Sequence, residues 1–165
     1  MKKGLGEIRF IADGMLGKLS RWLRILGYDV KYMENESDNK LIELAEKDRR
    51  ILLTSDLQLL TKALKSGVEA FLVDGKNDAA NLAKISEKFN LRLELDIQTS
   101  RCPICNSPLR MIPPSEVEGK VPYSTLRTYE EFWSCTNVDC QKIYWQGSHW
   151  KNIKEKLKEA KKYSG

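Results

Sequence analysis

The feature that most constrains the fold is a cycle of apolar runs and amphipathic segments that repeats four times before residue 90. The short apolar runs predict β-strands, and the segments with leucines at helical spacing predict α-helices. The predicted strands are 8–12, 28–33, 51–54 and 70–73, and the predicted helices are 15–26, 38–47, 57–66 and 78–89. This alternation is typical of right-handed crossovers and of a parallel sheet that is buried on both faces. We therefore predict an α/β fold with an open, mostly parallel sheet and helices on both faces.

The α/β domain is predicted to span residues 1–99, and two smaller units are predicted to follow it in the sequence. The segment LRLEL, residues 91–95, alternates apolar and charged residues and predicts an additional edge strand. Residues 151–165 place apolar side chains on one side of a helix among lysines, so we predict a basic amphipathic C-terminal helix. Between them, residues 100–150 contain all four cysteines.

The cysteines form two closely spaced pairs, which are Cys102 and Cys105 in RCPICN and Cys135 and Cys140 in SCTNVDCQ. Pairs separated by two to four residues are typical ligands of a structural zinc ion, and four thiolates leave no open position for catalysis. We therefore predict a zinc ribbon over residues 100–150, the alternative being four unlinked buried cysteines. Because zinc would supply most of its folding free energy, we expect loss of a cysteine to unfold the ribbon and leave the α/β core largely intact.

Carboxylates follow the predicted strands at the edge where open α/β sheets bind ligands. Asp13, Asp56 and Asp74 each follow an apolar strand, and Asp38 opens the helix after the second strand. Carboxylates a few ångströms apart repel each other, so a group of them requires protons or divalent cations, and oxygen ligands favour magnesium or manganese. The alternative is that these carboxylates have only a local structural role. Asp38 and Asp56 at helix starts can be caps, and Asp13, Asp74 or Asp78 can be turn or cap residues.

Two further groups of side chains are candidates for contact with a substrate. Lys18, Arg21 and Arg24 are spaced by three residues on the first predicted helix, which predicts a basic stripe that positions phosphates, the alternative being a solvated face. Aromatic residues surround the second cysteine pair, and most are expected to form the ribbon core while one or two stack on unpaired bases. This second group consists of Trp133, Tyr144, Trp145, His149 and Trp150.

Charge and hydropathy limit the class of partner and the cellular compartment that we expect. The chain has 28 basic and 23 acidic residues, and most of the excess lies in residues 100–165, where 11 basic residues face 7 acidic ones. This excess favours a polyanionic partner. The chain has no apolar stretch long enough for a signal peptide or a membrane span, so we expect a cytoplasmic protein without membrane association. In a reducing compartment, cysteines are better metal ligands than disulfide partners.

Four segments together resemble the PIN-like ribonuclease family named after the Mut-seven C-terminal domain, over nearly the whole chain. They are DGMLGKLSRWLRILGYDV, SDNKLIELAEKDRRILLTSD, RCPICN and CQKIYWQGSHW. The resemblance implies a PIN-like nuclease core with divalent metal at Asp13, Asp38 and Asp56, a zinc ribbon, and RNA as the substrate. The chain departs from the family where Thr54, Ser55 and Asp56 replace the common threonine, arginine and aspartate, and where the second cysteine pair is spaced wider than C-x2-C.

The sequence therefore predicts a magnesium- or manganese-dependent ribonuclease, with endonuclease action preferred, exonuclease action as the open alternative, and Asp74 as a further catalytic candidate. The ribbon would aid RNA binding. The alternative is a module that binds RNA, a ribosomal particle or a protein partner and has a weak or vestigial nuclease site. A phospho-accepting receiver domain also carries strand-end aspartates, but it requires Ser or Thr at the end of the fourth strand, where this chain has Val73 and Asp74.

Overall fold

The computed structural model describes residues 8–163, which contain two sheets flanked by helices. The strands are β1 (Arg9–Asp13), β2 (Asp29–Met33), β3 (Ile51–Thr54), β4 (Ala70–Leu72), β5 (Leu109–Ile112), β6 (Phe132–Cys135) and β7 (Ile143–Tyr144). The helices are α1 (Gly17–Ile25), α2 (Asp38–Lys47), α3 (Leu57–Lys65), α4 (Asp78–Phe89), α5 (Tyr123–Thr128) and α6 (Ser148–Tyr163), with short 3-10 helices at Gly14–Leu16 and Pro114–Glu116. The predicted α/β fold with four strand–helix cycles is confirmed.

The first sheet has the strand order β2-β1-β3-β4, and every pair of neighbours is parallel. Its two faces are buried in separate hydrophobic clusters because side chains alternate along each strand. Phe10 and Leu53 lie in the cluster shared with α1, α4 and α6, whereas Ile11 and Leu52 lie in the cluster shared with α2 and α3. The central strand β1 therefore has helices on both sides, as the parallel pairing requires.

Local signals explain where the helices begin and end. The Ser37 hydroxyl accepts a hydrogen bond from the Lys40 N–H and caps α2, while the Asn77 side chain accepts from the Ala80 N–H and caps α4. Gly27 follows α1 with a φ of 100°, a conformation that glycine adopts without strain. The capping alternative is therefore wrong for Asp38, because Ser37 is the cap and Asp38 is the first residue of the helix.

The second sheet has the antiparallel order β5-β6-β7, and the chain then continues into α6. Ile153, Leu157 and Ala160 of α6 belong to the same cluster as α1 and α4, so this helix packs on the α/β domain. The amphipathic helix predicted from residue 151 begins at Ser148. Residues 1–7 of the predicted first domain and the last two residues of the predicted helix lie outside the described range. Of the helices within residues 8–163, none combines the length and the apolarity that a bilayer crossing demands.

The prediction of an edge strand over residues 91–95 is wrong, since this segment has no strand pairing. Leu91 and Leu93 are buried in the cluster on the α1 side, while Arg92 is exposed, which explains the alternation. The backbone of Arg92 pairs with a side chain instead of a neighbouring strand: its N–H donates to the Tyr28 hydroxyl at 2.8 Å, and that hydroxyl contacts the Arg92 carbonyl at 3.3 Å.

Candidate active site and metal centre

The four cysteines converge at the boundary between the two sheets, with every pair of sulfur atoms within 4.8 Å. The Cys102 and Cys140 sulfurs are 3.8 Å apart, and those of Cys105 and Cys135 are 3.2 Å apart. A zinc ion with Zn–S bonds of about 2.3 Å in tetrahedral geometry separates its sulfurs by about 3.8 Å. The cysteines therefore fit a closed structural zinc site.

Backbone hydrogen bonds form the turns that carry the cysteines. In the first turn, the Asn106 N–H donates to the Cys102 carbonyl at 2.8 Å, and Asn106 itself has a positive φ of 71°. In the second and wider turn, the Cys140 N–H donates to the Asn137 carbonyl at 3.0 Å. Burial raises the pKa of the Cys135 thiol. Burial also acts to raise the pKa of Cys105, but hydrogen bonds with Ser107 and with the Cys135 and Cys102 sulfurs together outweigh it and lower the pKa to about 6, which favours the metal-binding thiolate.

The acidic edge of the first sheet centres on Asp13, whose side chain is only 7% exposed. Asp13 Oδ1 accepts a hydrogen bond from the Met15 N–H at 3.1 Å, and Oδ2 accepts one from the buried Thr54 hydroxyl. The Thr54 oxygen in turn accepts from the Asp56 N–H at 3.0 Å. Thr54 therefore links the carboxylate that ends β1 to the turn that follows β3.

Asp56 is exposed and caps α3. Its Oδ1 accepts hydrogen bonds from the Gln58 N–H at 2.8 Å and from the Leu59 N–H at 3.3 Å. The capping alternative is therefore correct for Asp56, and Asp13 likewise caps the 3-10 helix after β1. A carboxylate with a single capping oxygen retains a second oxygen that can bind a cation, so capping and metal binding are compatible at Asp56.

The other two predicted acidic residues each pair with a lysine. Lys62 Nζ of α3 lies 3.4 Å from Asp38 Oδ2, and Lys84 Nζ lies 2.9 Å from Asp74 Oδ1. The hydrogen bond from Lys84 holds the pKa of the exposed Asp74 carboxyl below its ordinary value. Asp74 follows β4, which β3 separates from the central strand.

The alternation of side chains along the strands places part of this acidic set on one face. Asp13 is two residues from Ile11, and Thr54 is two residues from Leu52, so both follow the face covered by α2 and α3. Asp38 and Asp56 lie at the starts of these two helices. Within residues 8–163, however, the cysteines are the group that brings three or more metal-binding side chains together, and the aspartates do not form such a group.

The prediction that Lys18, Arg21 and Arg24 form an exposed basic stripe on α1 is wrong for Arg24. Lys18 and Arg21 are exposed on α1, and Lys18 Nζ lies 3.5 Å from the Asp78 carboxylate. Arg24 is buried, and its Nε donates to the Val30 carbonyl at 2.9 Å while Nη1 donates to the Pro103 carbonyl at 3.0 Å. Burial lowers the pKa of Arg24, which nevertheless acts here as a hydrogen-bond donor that joins α1 to the first cysteine turn.

The aromatic residues near the second cysteine pair divide into buried and accessible ones, as predicted. Trp133 and Trp150 are buried against Ile97. Trp145 is half-buried beside Phe132, with ring centroids 6.3 Å apart, and His149 is exposed.

Sequence reasoning missed the role of Thr54, which it treated only as part of a motif. The signal available was its position as the last residue of β3, two residues after Leu52 and therefore on the same face as Asp13.

Comparison with known proteins is consistent with these features. A model of the Mut7-C RNAse domain family matches residues 8–157. An exonuclease mut-7 homolog from Homo sapiens is 35% identical over 101 residues, which are 59% of this chain and 12% of that protein. The chain thus corresponds to a small part of this relative, and no solved structure gives a significant match. The family match covers most of the chain and confirms the resemblance carried by the sequence motifs, so the chain belongs to the Mut7-C RNAse domain family.

Proposed function

We propose that this protein is a ribonuclease that uses magnesium or manganese to hydrolyse RNA phosphodiester bonds at the carboxyl edge of the first sheet, as an endonuclease. Membership in an RNase domain family supports nuclease function in general terms. The observation that carries the specific proposal is the buried carboxylate of Asp13 at the end of the central strand, linked through Thr54 to Asp56.

The surroundings of Asp13 favour a cation at this position. A buried carboxylate loses favourable hydration, and nearby positive charge normally compensates the loss. In the described part of the chain, no Lys, Arg or His nitrogen lies within 4.0 Å of the Asp13 carboxylate, which has only the Met15 N–H and the Thr54 hydroxyl as donors. A divalent cation bound by Asp13 and Asp56 would supply the missing charge.

The residues of the chain then have distinct roles. Asp13 and Asp56 would hold the metal, and Asp38 would join them once it is released from Lys62. When bound, the metal would lower the pKa of a water molecule and neutralise charge on the phosphate. Thr54 would fix the orientation of Asp13 through its hydroxyl, and Lys18 and Arg21 would hold phosphates of the strand.

Asp74 is the weakest of the four acidic candidates. It follows a strand that is not adjacent to β1, and its carboxylate already pairs with Lys84. We therefore propose the other three aspartates as the catalytic set. The zinc ribbon would bind RNA beside them, and cytoplasmic location stays part of this proposal.

The second candidate function is a module that binds RNA, a ribosomal particle or a protein partner without cleaving RNA. One observation favours it: Asp13 and Asp56 already accept backbone hydrogen bonds as caps, a role that explains their presence without a metal. If the protein is a ribonuclease, removal of the Asp13 charge abolishes RNA cleavage. If it is a binding module, the same change affects only the stability of the fold.

A cleavage assay separates them. Purified protein is incubated with single-stranded and structured RNA with magnesium, with manganese or without added divalent metal, beside Asp13→Asn and the control Glu87→Gln, which alters an exposed carboxylate of α4. We expect metal-dependent cleavage by the wild type and by Glu87→Gln and none by Asp13→Asn. Equal cleavage by wild type and Asp13→Asn would remove Asp13 from the reaction, and absence of cleavage in every condition would favour the binding module.

A further inference from the structure

A groove of about 550 Å³ lies between α1, the first cysteine turn and the connection from β7 to α6. This volume is within the range of about 300–1,000 Å³ that small-molecule pockets occupy. Three cations and four aromatic rings line the groove together with several aliphatic side chains, and its lining includes no carboxylate from the described residues. The cations are Lys18, Arg21 and Lys142, and the rings are those of Trp22, Tyr144, Trp145 and His149.

The cations of this groove are available to an outside partner. Arg21 and Lys142 are exposed, and within residues 8–163 neither of them lies within 4.0 Å of a carboxylate. Lys18 pairs with Asp78 at 3.5 Å, but its side chain is 74% exposed, and such surface pairs contribute little to stability. A ligand with negative charge can therefore engage all three without breaking a stable internal pair.

The groove combines these charges with accessible aromatic surface. Trp22, Tyr144 and Trp145 are each half-buried, so part of each ring faces the groove. Nucleobases stack on such rings, while the phosphates between them pair with lysine and arginine. An acidic peptide without apolar side chains would satisfy the cations but would leave the ring faces in contact with water.

We propose that this groove binds an unpaired segment of single-stranded RNA, with bases on the aromatic rings and phosphates on Lys18, Arg21 and Lys142. The choice of RNA rests on the proposed ribonuclease function, and the single-stranded form follows from the groove itself. In a duplex the base faces are stacked on one another and cannot reach protein rings. The groove is thus a substrate site separate from the carboxylates of the acidic edge.

A second depression adjoins the groove on the side of Gly17 and Tyr32. It has a volume of about 530 Å³ and shares Lys18 and Arg21 with the groove, and Glu34 also lines it. The Tyr32 hydroxyl donates to the Gly14 carbonyl at 2.7 Å, and Gly14 directly follows Asp13. A strand that leaves the groove along this depression would pass Glu34 and approach the turn that follows Asp13.

Tryptophan fluorescence provides a local test, because Trp133 and Trp150 are buried whereas Trp22 and Trp145 line the groove. The full chain, with its zinc content measured, is titrated with an oligouridylate of about eight nucleotides without added magnesium or manganese, which separates binding from cleavage and leaves the cysteine site loaded. We expect quenching of the wild-type emission, loss of part of that quenching in Trp22→Phe and in Trp145→Phe, and loss of most of it in the double variant. A blunt RNA duplex should quench weakly.

Charge variants test the phosphate contacts. Lys142→Glu and Arg21→Glu change exposed side chains, so the fold should be retained, and each should weaken oligouridylate binding about tenfold. A plot of log affinity against log salt concentration should also become shallower by about 0.7 for each variant, which is the slope for one phosphate contact on a single strand. Lys65→Glu is the matched control, because it reverses an exposed lysine of α3 that does not line the groove.

Several outcomes would overturn the proposal. These are equal affinity for duplex and single strand, equal affinity of Lys142→Glu, Arg21→Glu and Lys65→Glu, or displacement of the oligouridylate by an equal concentration of polyglutamate. Cleavage of RNA by the wild type together with unchanged binding in the groove variants would overturn this proposal and leave the ribonuclease function in place. Groove-dependent binding without cleavage in magnesium or manganese would support the groove and overturn the ribonuclease function.

Discussion

Arg24 Nη1 donates a hydrogen bond to the Pro103 carbonyl across 3.0 Å, which joins helix α1 to the first cysteine turn. The same turn covers the open edge of β2, because the Asn106 side chain accepts a hydrogen bond from the Val30 N–H at 3.1 Å. Asn106 Nδ2 also donates to the Asp29 carboxylate at 2.7 Å. An exposed strand edge is a site of unpaired backbone groups, so the cysteine turn completes the first sheet as well as the ribbon.

Replacement of Arg24 should destabilise the whole chain. Arg24→Ala removes three charged hydrogen bonds, to the carbonyls of Val30, Pro103 and Ile104, so we expect a loss of about 2–3 kcal/mol in the free energy of unfolding. Urea denaturation measures this loss. Arg21→Ala on the exposed side of the same helix is the control, and its effect should stay within about 0.5 kcal/mol. Equal effects of the two variants would show that Arg24 does not join the two parts.

Removal of zinc should also destabilise the edge of the α/β core. The purified protein should contain about one zinc per chain, because four thiolates converge. Chelation or Cys102→Ser should release the first cysteine turn and accelerate hydrogen exchange at the Val30 N–H on the edge of β2. Hydrogen exchange followed by mass spectrometry or NMR checks this expectation, with buried Leu53 on the central part of the sheet as the internal reference.

This expectation differs from the one drawn from the sequence, in which loss of zinc unfolds residues 100–150 and leaves the core largely intact. The difference arises from the contacts of Arg24 and Asn106 across the boundary. A protein whose zinc-free form keeps full protection at Val30 would support the sequence-based expectation and contradict ours.

The strands and helices of the α/β domain were predictable because burial dictates their periods. Phe10 and Ile11 are both buried, one on each face, which produces the uninterrupted apolar run of a parallel strand. The cysteine site was predictable because its ligand spacing is local. In both cases the signal lies within a few residues of the feature that it predicts.

The errors lie where a distant partner decides the role of a residue. Residues 91–95 alternate like a strand, but the Tyr28 hydroxyl takes the place of a neighbouring strand. Lys18 and Arg24 share a three-residue spacing with Arg21, yet each step of three rotates a side chain by about 60° around a helix of 3.6 residues per turn. After two steps Arg24 lies on the buried side of the helix, where it donates a hydrogen bond to the Pro103 carbonyl.

Thr54 provides a test of the acidic edge that leaves every carboxylate in place. Thr54→Val removes the hydroxyl donor of the buried Asp13 carboxylate and the acceptor of the Asp56 N–H, so we expect destabilisation by about 1–3 kcal/mol. If the proposed reaction occurs, cleavage should fall as well, because Asp13 loses its orientation. Thr54→Ser keeps the hydroxyl and is the matched control. Thermal or urea unfolding measures the first effect, and wild-type stability in Thr54→Val would contradict the linking role.

Metal binding at the acidic edge can be tested without a substrate. A ligand that binds only the folded state stabilises it, by about 1.4 kcal/mol when its free concentration is ten times the dissociation constant. Thermal melts of the wild type with millimolar manganese and with chelator should therefore differ. Because zinc bound by the four cysteines would also contribute to stability, the chelator must be one that leaves the cysteine site loaded, and zinc content is measured in each sample.

The substitution Asp56→Asn separates capping from metal binding. Asparagine caps a helix about as well as aspartate, so the stability of α3 in chelator should be unchanged, whereas the amide is a poorer ligand for manganese and the stabilisation by metal should disappear. Asp56→Ala should lose about 1 kcal/mol in both conditions, because the Gln58 N–H and the Leu59 N–H then lack an acceptor. Asp96→Asn is the matched control, since Asp96 accepts from the Gln98 N–H in an exposed turn away from the strand ends. A full manganese shift in Asp56→Asn would mean that Asp56 is only a cap, and that the proposed metal site lacks one of its ligands.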